Sequence, residues 1–203
     1  MTGRYPVLIC GGGPVGLGLA LDLGRRGVPC LLVEQGDGLR IQPKLLLIGV
    51  RTMEICRRWG ISPRVANWGF PEDFPFDNVF VTDLSGFEIA RIPLPRIKDI
   101  KPLPVSPEAQ RHCPQTWFDP ILREAAASHA GVTLRHRTKM ESFRDLGDGI
   151  EAVLGDADTG ARETGRVLPH VASEHRLALR GEHLERRVVR LRAQSPSVPL
   201  SSE

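Results

Sequence analysis

The chain has 203 residues, 41% of them hydrophobic, enough for one sizeable domain whose core needs no disulfide staples. Its net charge of +3 gives no ground for a nucleic-acid partner, and no apolar run approaches the roughly 20 residues of a membrane span. Four cysteines without CxxC spacing, and six histidines that make no metal pattern with them, favour reduced thiols in a cytoplasmic protein with no metal centre.

Residues 1–6 lead into a strand-like run without the pattern of a signal peptide. Val7–Cys10 is that run, and it ends at Gly11-Gly12-Gly13-Pro14-Val15-Gly16. Leu17, Ala20, Leu21 and Gly24 then follow helical spacing, and Arg25-Arg26-Gly27 reads as the helix end, with cations at the C-terminal dipole and a glycine cap. Residues 28–33 give a second apolar strand closed by Glu34. Cys10 and Cys30, inside the two apolar runs, are expected to be small buried hydrophobes.

Strand, glycine turn, helix, strand and acid together form a nucleotide-binding pattern. Gly11 permits a tight turn, Gly13 lets the backbone approach a pyrophosphate, and Gly16 allows close helix-to-strand packing. The helix N-terminus offers free N–H groups to phosphates. Glu34, 23 residues after Gly11, is placed to accept hydrogen bonds from ribose hydroxyls. The bland alternative is a glycine-rich turn that binds nothing. Glycines and acid alone do not separate FAD from NAD, since both carry an ADP ribose.

Further along, residues 52–59 suggest a helix opened by Arg51, and residues 79–84 and 87–92 a hairpin around Ser85-Gly86. Trp59, Trp68, Phe70, Phe74, Phe76 and Phe80 are read first as packing and second as an aromatic substrate pocket. A helix over residues 119–128 has Asp119 as cap and Pro120 in its first turn, with an earlier start near Gln115 as the alternative. Residues 132–135, 140–146, 150–154 and 163–168 read as strands. No spacing suggests a nucleophile–base pair, so no catalytic residue is assigned and a hydrolase has little support.

Three ordered segments resemble the FAD-dependent aromatic-ring hydroxylases, the flavoprotein monooxygenases similar to phenol and para-hydroxybenzoate hydroxylases. They are residues 7–35 (VLICGGGPVGLGLALDLGRRGVPCLLVEQ), 51–61 (RTMEICRRWGI) and 113–122 (CPQTWFDPIL). The resemblance covers about residues 5–165. It implies FAD as cofactor, NAD(P)H as reductant and a small aromatic substrate hydroxylated with O2. It also implies cofactor contacts from Gly11, Gly12, Gly13, Pro14, Val15, Gly16, Glu34, Gln35, Arg51 and Gln115. The plainer readings are that Arg51 opens a helix on a solvated face and that Gln115 helps start the next one. The second and third segments argue against an NAD(P)-binding domain.

Two departures stand out. At residues 45–50 the family has a polar, Asn-containing stretch near the flavin, whereas this chain has Leu45-Leu46-Leu47-Ile48-Gly49-Val50, which removes hydrogen-bonding groups and predicts an exposed apolar patch. After about Gly165 the family continues with an apolar strand ending in Asp-Gly. Here residues 166–203 contain no aromatic ring of Phe, Tyr or Trp, and eight arginines lie between Arg162 and Arg192. That tail reads as a basic helix for an acidic partner or membrane surface, as a solvated capping helix, or, our preferred expectation, as non-family sequence from a shifted frame or early stop.

The expected fold class is α/β: a Rossmann-type βαβ unit with a parallel sheet, an antiparallel β-rich insertion, and a disordered or helical C-terminal tail. Residues 1–165 are expected to form an incomplete FAD-binding domain and residues 166–203 a basic non-family tail. The expected function is the FAD-binding portion of an aromatic monooxygenase, incomplete as it stands. The alternative is a nucleotide-binding module or inactive remnant without redox activity. The oligomeric state stays open.

Overall fold

The computed structural model describes residues 5–39, 42–147 and 149–167. In chain order its elements are β1 (Val7–Cys10), α1 (Pro14–Arg25), β2 (Cys30–Val33), β3 (Leu47–Ile48), α2 (Val50–Arg58), α3 (Ser62–Ala66), β4 (Asn78–Val81), β5 (Glu88–Ile92), β6 (Arg111–His112), α4 (Gln115–Ala127), β7 (Val132–Arg135), β8 (Thr138–Asp145), β9 (Ile150–Asp156) and β10 (Arg162–Val167). Among the described residues no helix is long and apolar enough to cross a membrane.

The expected mixed architecture is present. β2 lies between β1 and β7, and both pairings are parallel. All four β2 residues are buried, because side chains alternate between two covered faces. Cys30 and Leu32 join the cluster built with Leu17, Ala20 and Leu21 of α1 and Phe118 and Leu122 of α4. Leu31 and Val33 pack on the opposite side with Leu154 of β9. Burying Leu17 and Leu21 contributes roughly 1.5–3 kcal/mol each, which is what seats α1 on the sheet. The covering layer on the second face is the antiparallel sheet β8–β9–β10, whose β8–β9 pairing carries an irregularity between Met140 and Ser142. An isolated parallel bridge joins Tyr5 to Val167.

Several local expectations change. α4 starts at Gln115, the earlier of the two starts, so Asp119 is a buried residue of the second turn and Pro120 lies inside the helix. Pro114 in extended conformation sets the start, and Gln115 Nε2 donates to Asp119 Oδ2 at 3.0 Å, one turn apart. Cys30 is buried, but Cys10 is exposed, which corrects its reading as a buried hydrophobe. It is the last residue of β1, which pairs with β2 alone among the named strands, and its Sγ donates to Met140 Sδ at 3.3 Å.

The hairpin pairs β4 with β5, and Gly86 N–H closes its turn on the Asp83 carbonyl. Trp68, Phe70, Phe74 and Phe76 form a run of ring contacts that joins Trp117 and the core at Trp68 and ends in a stack of Phe76 on His112 at 3.7 Å between centroids. Trp59 packs against the helix-side core, whereas Phe80 is exposed. Of the expected tail, Arg166 and Val167 instead complete β10, and residues 168–203 lie outside the described residues.

Candidate nucleotide site

The site begins where β1 runs out. Gly11 N–H donates to the Val33 carbonyl at 2.8 Å, and Gly11 then turns at φ +108°, a conformation closed to most side chains. Gly13 in extended conformation precedes α1, its carbonyl accepting from Leu17 N–H at 2.9 Å, and Pro14 fills the first helical position. A Cβ on Gly16 would stand 2.0 Å from the Gly11 carbonyl oxygen and 3.4 Å from Ile9, so Gly16 is what lets the helix close on turn and strand.

No side chain among the described residues caps α1, and its first turn holds no acid. The early amides of a helix have no partner within it, and they carry the positive end of its dipole. Such a terminus suits an anion with several acceptor oxygens.

Glu34 comes to the same place from the end of β2. Its Oε2 accepts from Gly12 N–H at 2.6 Å and its Oε1 from Gly36 N–H at 2.9 Å. Gly12 is buried, and a Cβ on it would meet that of Glu34 at 2.9 Å. A carboxylate offers about four lone-pair sites. Two are occupied here, which leaves acceptors for a pair of vicinal hydroxyls. The donor set therefore fits an ADP moiety: backbone amides at a dipole end for the pyrophosphate, and a fixed carboxylate for the ribose.

The remaining expected contacts disperse. Val15 and Gln35 are exposed beside the turn and the Glu34 strand end. Arg51, in the first turn of α2, is 81% exposed and pairs with Glu54 at 2.8 Å. Gln115 is 5% exposed, and its amide accepts from Lys44 N–H at 3.2 Å while donating to Asp119. The hydrogen bonds of Arg51 and Gln115 thus lead away from the glycine turn. Within residues 45–50, Leu46 and Leu47 are exposed, Leu45 packs on the core, and Ile48 is buried in β3. Sequence reasoning missed Gly36, whose amide fixes Glu34. The signal was a glycine two residues after the acid.

The family model described as FAD binding domain matches residues 4–167. The tetracenomycin B2 monooxygenase-dioxygenase of Streptomyces olivaceus is 35% identical over 185 residues, covering 84% of this chain and 34% of that protein. The 4-methyl-5-nitrocatechol 5-monooxygenase of a Burkholderia species is 32% identical, covering 84% and 31%.

Among solved structures, RebC with bound 7-carboxy-K252c is 40% identical with a TM-score of 0.73, covering 81% of this chain and 31% of RebC. The flavin-dependent monooxygenase PieE in complex with FAD and substrate is 36% identical with a TM-score of 0.70, covering 82% and 29%. The chain spans about a third of the length of the curated relatives it matches. The match over residues 4–167 and these identities show that the chain belongs to the FAD-dependent aromatic hydroxylase family, as a segment holding its FAD binding domain.

Proposed function

We propose that this chain supplies the ADP-holding part of a flavin-dependent monooxygenase that hydroxylates a small aromatic compound with NAD(P)H and O2. The observation that carries the reading is the junction of Glu34 with Gly12 beside the uncapped end of α1. It presents phosphate donors and a ribose acceptor side by side. When bound, FAD supplies the redox chemistry, and the chain's own residues bind and orient it.

In this reading the backbone of Gly11, Gly12, Gly13, Val15 and Gly16 faces the pyrophosphate, with Pro14 shaping the helix start. Glu34 takes the ribose hydroxyls, and Gln35 lies beside them. Arg51 has five N–H donors, and one ion pair to Glu54 leaves most of them for a pyrophosphate oxygen. Gln115 supports its end of the cofactor by bracing Lys44 against α4. The aromatic substrate is supported by relatives named for such compounds, the nitrocatechol monooxygenase among them. The unpaired state of Cys10, Cys30, Cys56 and Cys113 fits a reducing cytoplasm.

A second reading, a nucleotide-binding module without redox activity, draws on the exposed aliphatic pair Leu46 and Leu47 at the place where the family resemblance implies polar groups. The visible absorption spectrum of the protein after loading with FAD and desalting decides between them. Retained flavin near one equivalent, followed by NAD(P)H oxidation stimulated by a phenol, supports the monooxygenase reading. A colourless protein that still binds ADP supports the module, and a protein that binds neither FAD nor ADP rejects both.

We propose that the sequence turns foreign to the family just past residue 167, where the family match ends, two residues later than the sequence alone suggested. Translation of the other frames of the coding DNA tests the frame-shift origin. An apolar strand ending in Asp-Gly in another frame supports it, and its absence from all frames rejects it.

A further inference from the structure

The loop that carries Glu34 is fastened from a direction the glycine motif does not include. Arg123, on α4, donates from Nη2 to the Gly38 carbonyl, 85 residues away in sequence. Gly38 stands at φ +79°, and a Cβ there would lie 2.6 Å from His136 Cδ2 and 2.7 Å from Arg123 Nη2. Both side chains therefore close on the loop where it has no side chain of its own.

Backbone bonds continue the fastening toward the carboxylate. Arg137 N–H donates to the Gly36 carbonyl and Thr138 N–H to the Glu34 carbonyl, each at 2.9 Å. Arg137 is the non-glycine residue held at positive φ, +53°, among the described residues. Backbone of this kind is unfavourable for a residue that carries a Cβ, and it tends to collect at ligand clamps. Gly36 N–H in turn holds Glu34 Oε1.

The arrangement is poorly explained as a device for stability. Arg123 Nε is buried with no hydrogen-bond partner among the described residues, so the guanidinium is placed to reach Gly38 at the cost of leaving one of its own donors unmet. Charge points the same way. Arg123 from α4 and Glu34 and Asp37 from the loop all act on His136, so a cation and a ring are set against two carboxylates.

We propose that Arg123 and His136 form a positioning clasp on Gly38 that fixes residues 34–39 and so aims the Glu34 carboxylate at the ribose hydroxyls. The clasp rests on the ADP reading above. Neither residue touches the nucleotide in this account. They act through Gly38, Gly36 and Glu34 in turn.

The test titrates the full chain by calorimetry with ADP and with 2′,3′-dideoxy-ADP, which lacks the hydroxyls, for the wild type, Arg123→Met and Arg123→Lys. Charge-assisted bonds to Glu34 make the wild type prefer ADP by roughly tenfold or more. Arg123→Met loses that preference while its affinity for dideoxy-ADP stays at the wild-type value. Arg123→Lys, which keeps a cationic donor on the same helix, retains part of the preference and serves as the reading should the methionine variant not fold. An undiminished preference in both variants overturns the clasp, as does an equal fall for both ligands, which would mark a merely structural role. Wild-type protein that binds ADP no better than dideoxy-ADP overturns the Glu34 assignment itself, and with it the clasp. Wild-type protein that binds neither ligand overturns the ADP reading.

Discussion

The indole Nε1 of Trp59 donates to Asp22 Oδ1 at 3.0 Å, tying the end of α2 to the last turn of α1. Arg26 at 2.8 Å and Arg58 at 3.5 Å share the same carboxylate. The Trp59 bond above all, with the two arginines, holds the Asp22 carboxyl below its ordinary range. A depressed carboxyl adds stability that is present above its unfolded value, near pH 3.9, and lost as pH falls through the folded one. Trp59→Phe keeps most of the ring and removes the donor. It should cost about 1 kcal/mol at pH 7 in urea unfolding, with a smaller difference from wild type below pH 3. A variant equally destabilised at both pH values would show that only the ring matters.

Gly16 and Gly11 should respond differently to alanine. At Gly16 the new Cβ meets a backbone carbonyl at 2.0 Å, whereas at Gly11 it meets nothing within 4 Å and only the positive φ opposes it. Gly11→Ala should cost about 1–2 kcal/mol. Gly16→Ala should cost more than about 3 kcal/mol, because the helix must move off the turn. Chemical denaturation of the two variants checks the order, and ADP titration should show the larger loss for Gly16→Ala.

The thiols should label in a fixed order. Cys10 is exposed and should react first with a disulfide reagent, although desolvation raises its thiol and slows it relative to a free cysteine. Burial pushes Cys56 up to about 11, with the Glu108 carboxylate adding to it, and Cys113 up to about 12, with Cys56 adding to it. Cys30 is wholly buried as well. One equivalent of fast native-state labelling, mapped to Cys10 by peptide mass, is expected. The other three should label only on unfolding.

Acid should weaken the fold before the carboxylates titrate. Desolvation lowers His112 and His136 below the ordinary histidine value of about 6.5, and the Arg123 cation lowers His136 further against the pull of Glu34 and Asp37. The unfolded chain then binds protons that the folded chain resists, so stability is complete above about pH 6.5 and falls as pH drops below it. Unfolding free energies between pH 7.5 and 5 should show this slope. His112→Gln with His136→Gln should flatten it.

The βαβ unit was legible because each of its parts is coded locally. Val7–Cys10 and residues 28–33 are apolar runs, and the glycines between them answer steric demands the structure makes explicit. The start of α4 was harder to read, since Pro120 resembles a first-turn proline. What decides it is the burial of Gln115, Phe118, Asp119, Ile121 and Leu122, which offsets the lost backbone bond and the ring clash of an interior proline.

The reading of Cys10 failed for a different reason. An apolar run predicts two covered faces along its whole length, whereas the last residue of β1 is exposed. Arg123 and Gly38 left no trace in the sequence. Neither belongs to a motif, and only the packing of α4 beside the end of β7 brings them within reach.

The order of strands in the parallel sheet also sets an order in time. β2 is the central strand, yet its partner β7 begins about a hundred residues later, with Cys30 aligned on Val132. At 5–20 residues per second a ribosome needs roughly 5–20 s to deliver that partner. During that interval the nascent chain has an apolar strand with an unsatisfied edge, which a chaperone must shield or a neighbouring chain will find. The fold is thus most vulnerable to aggregation while it is being made.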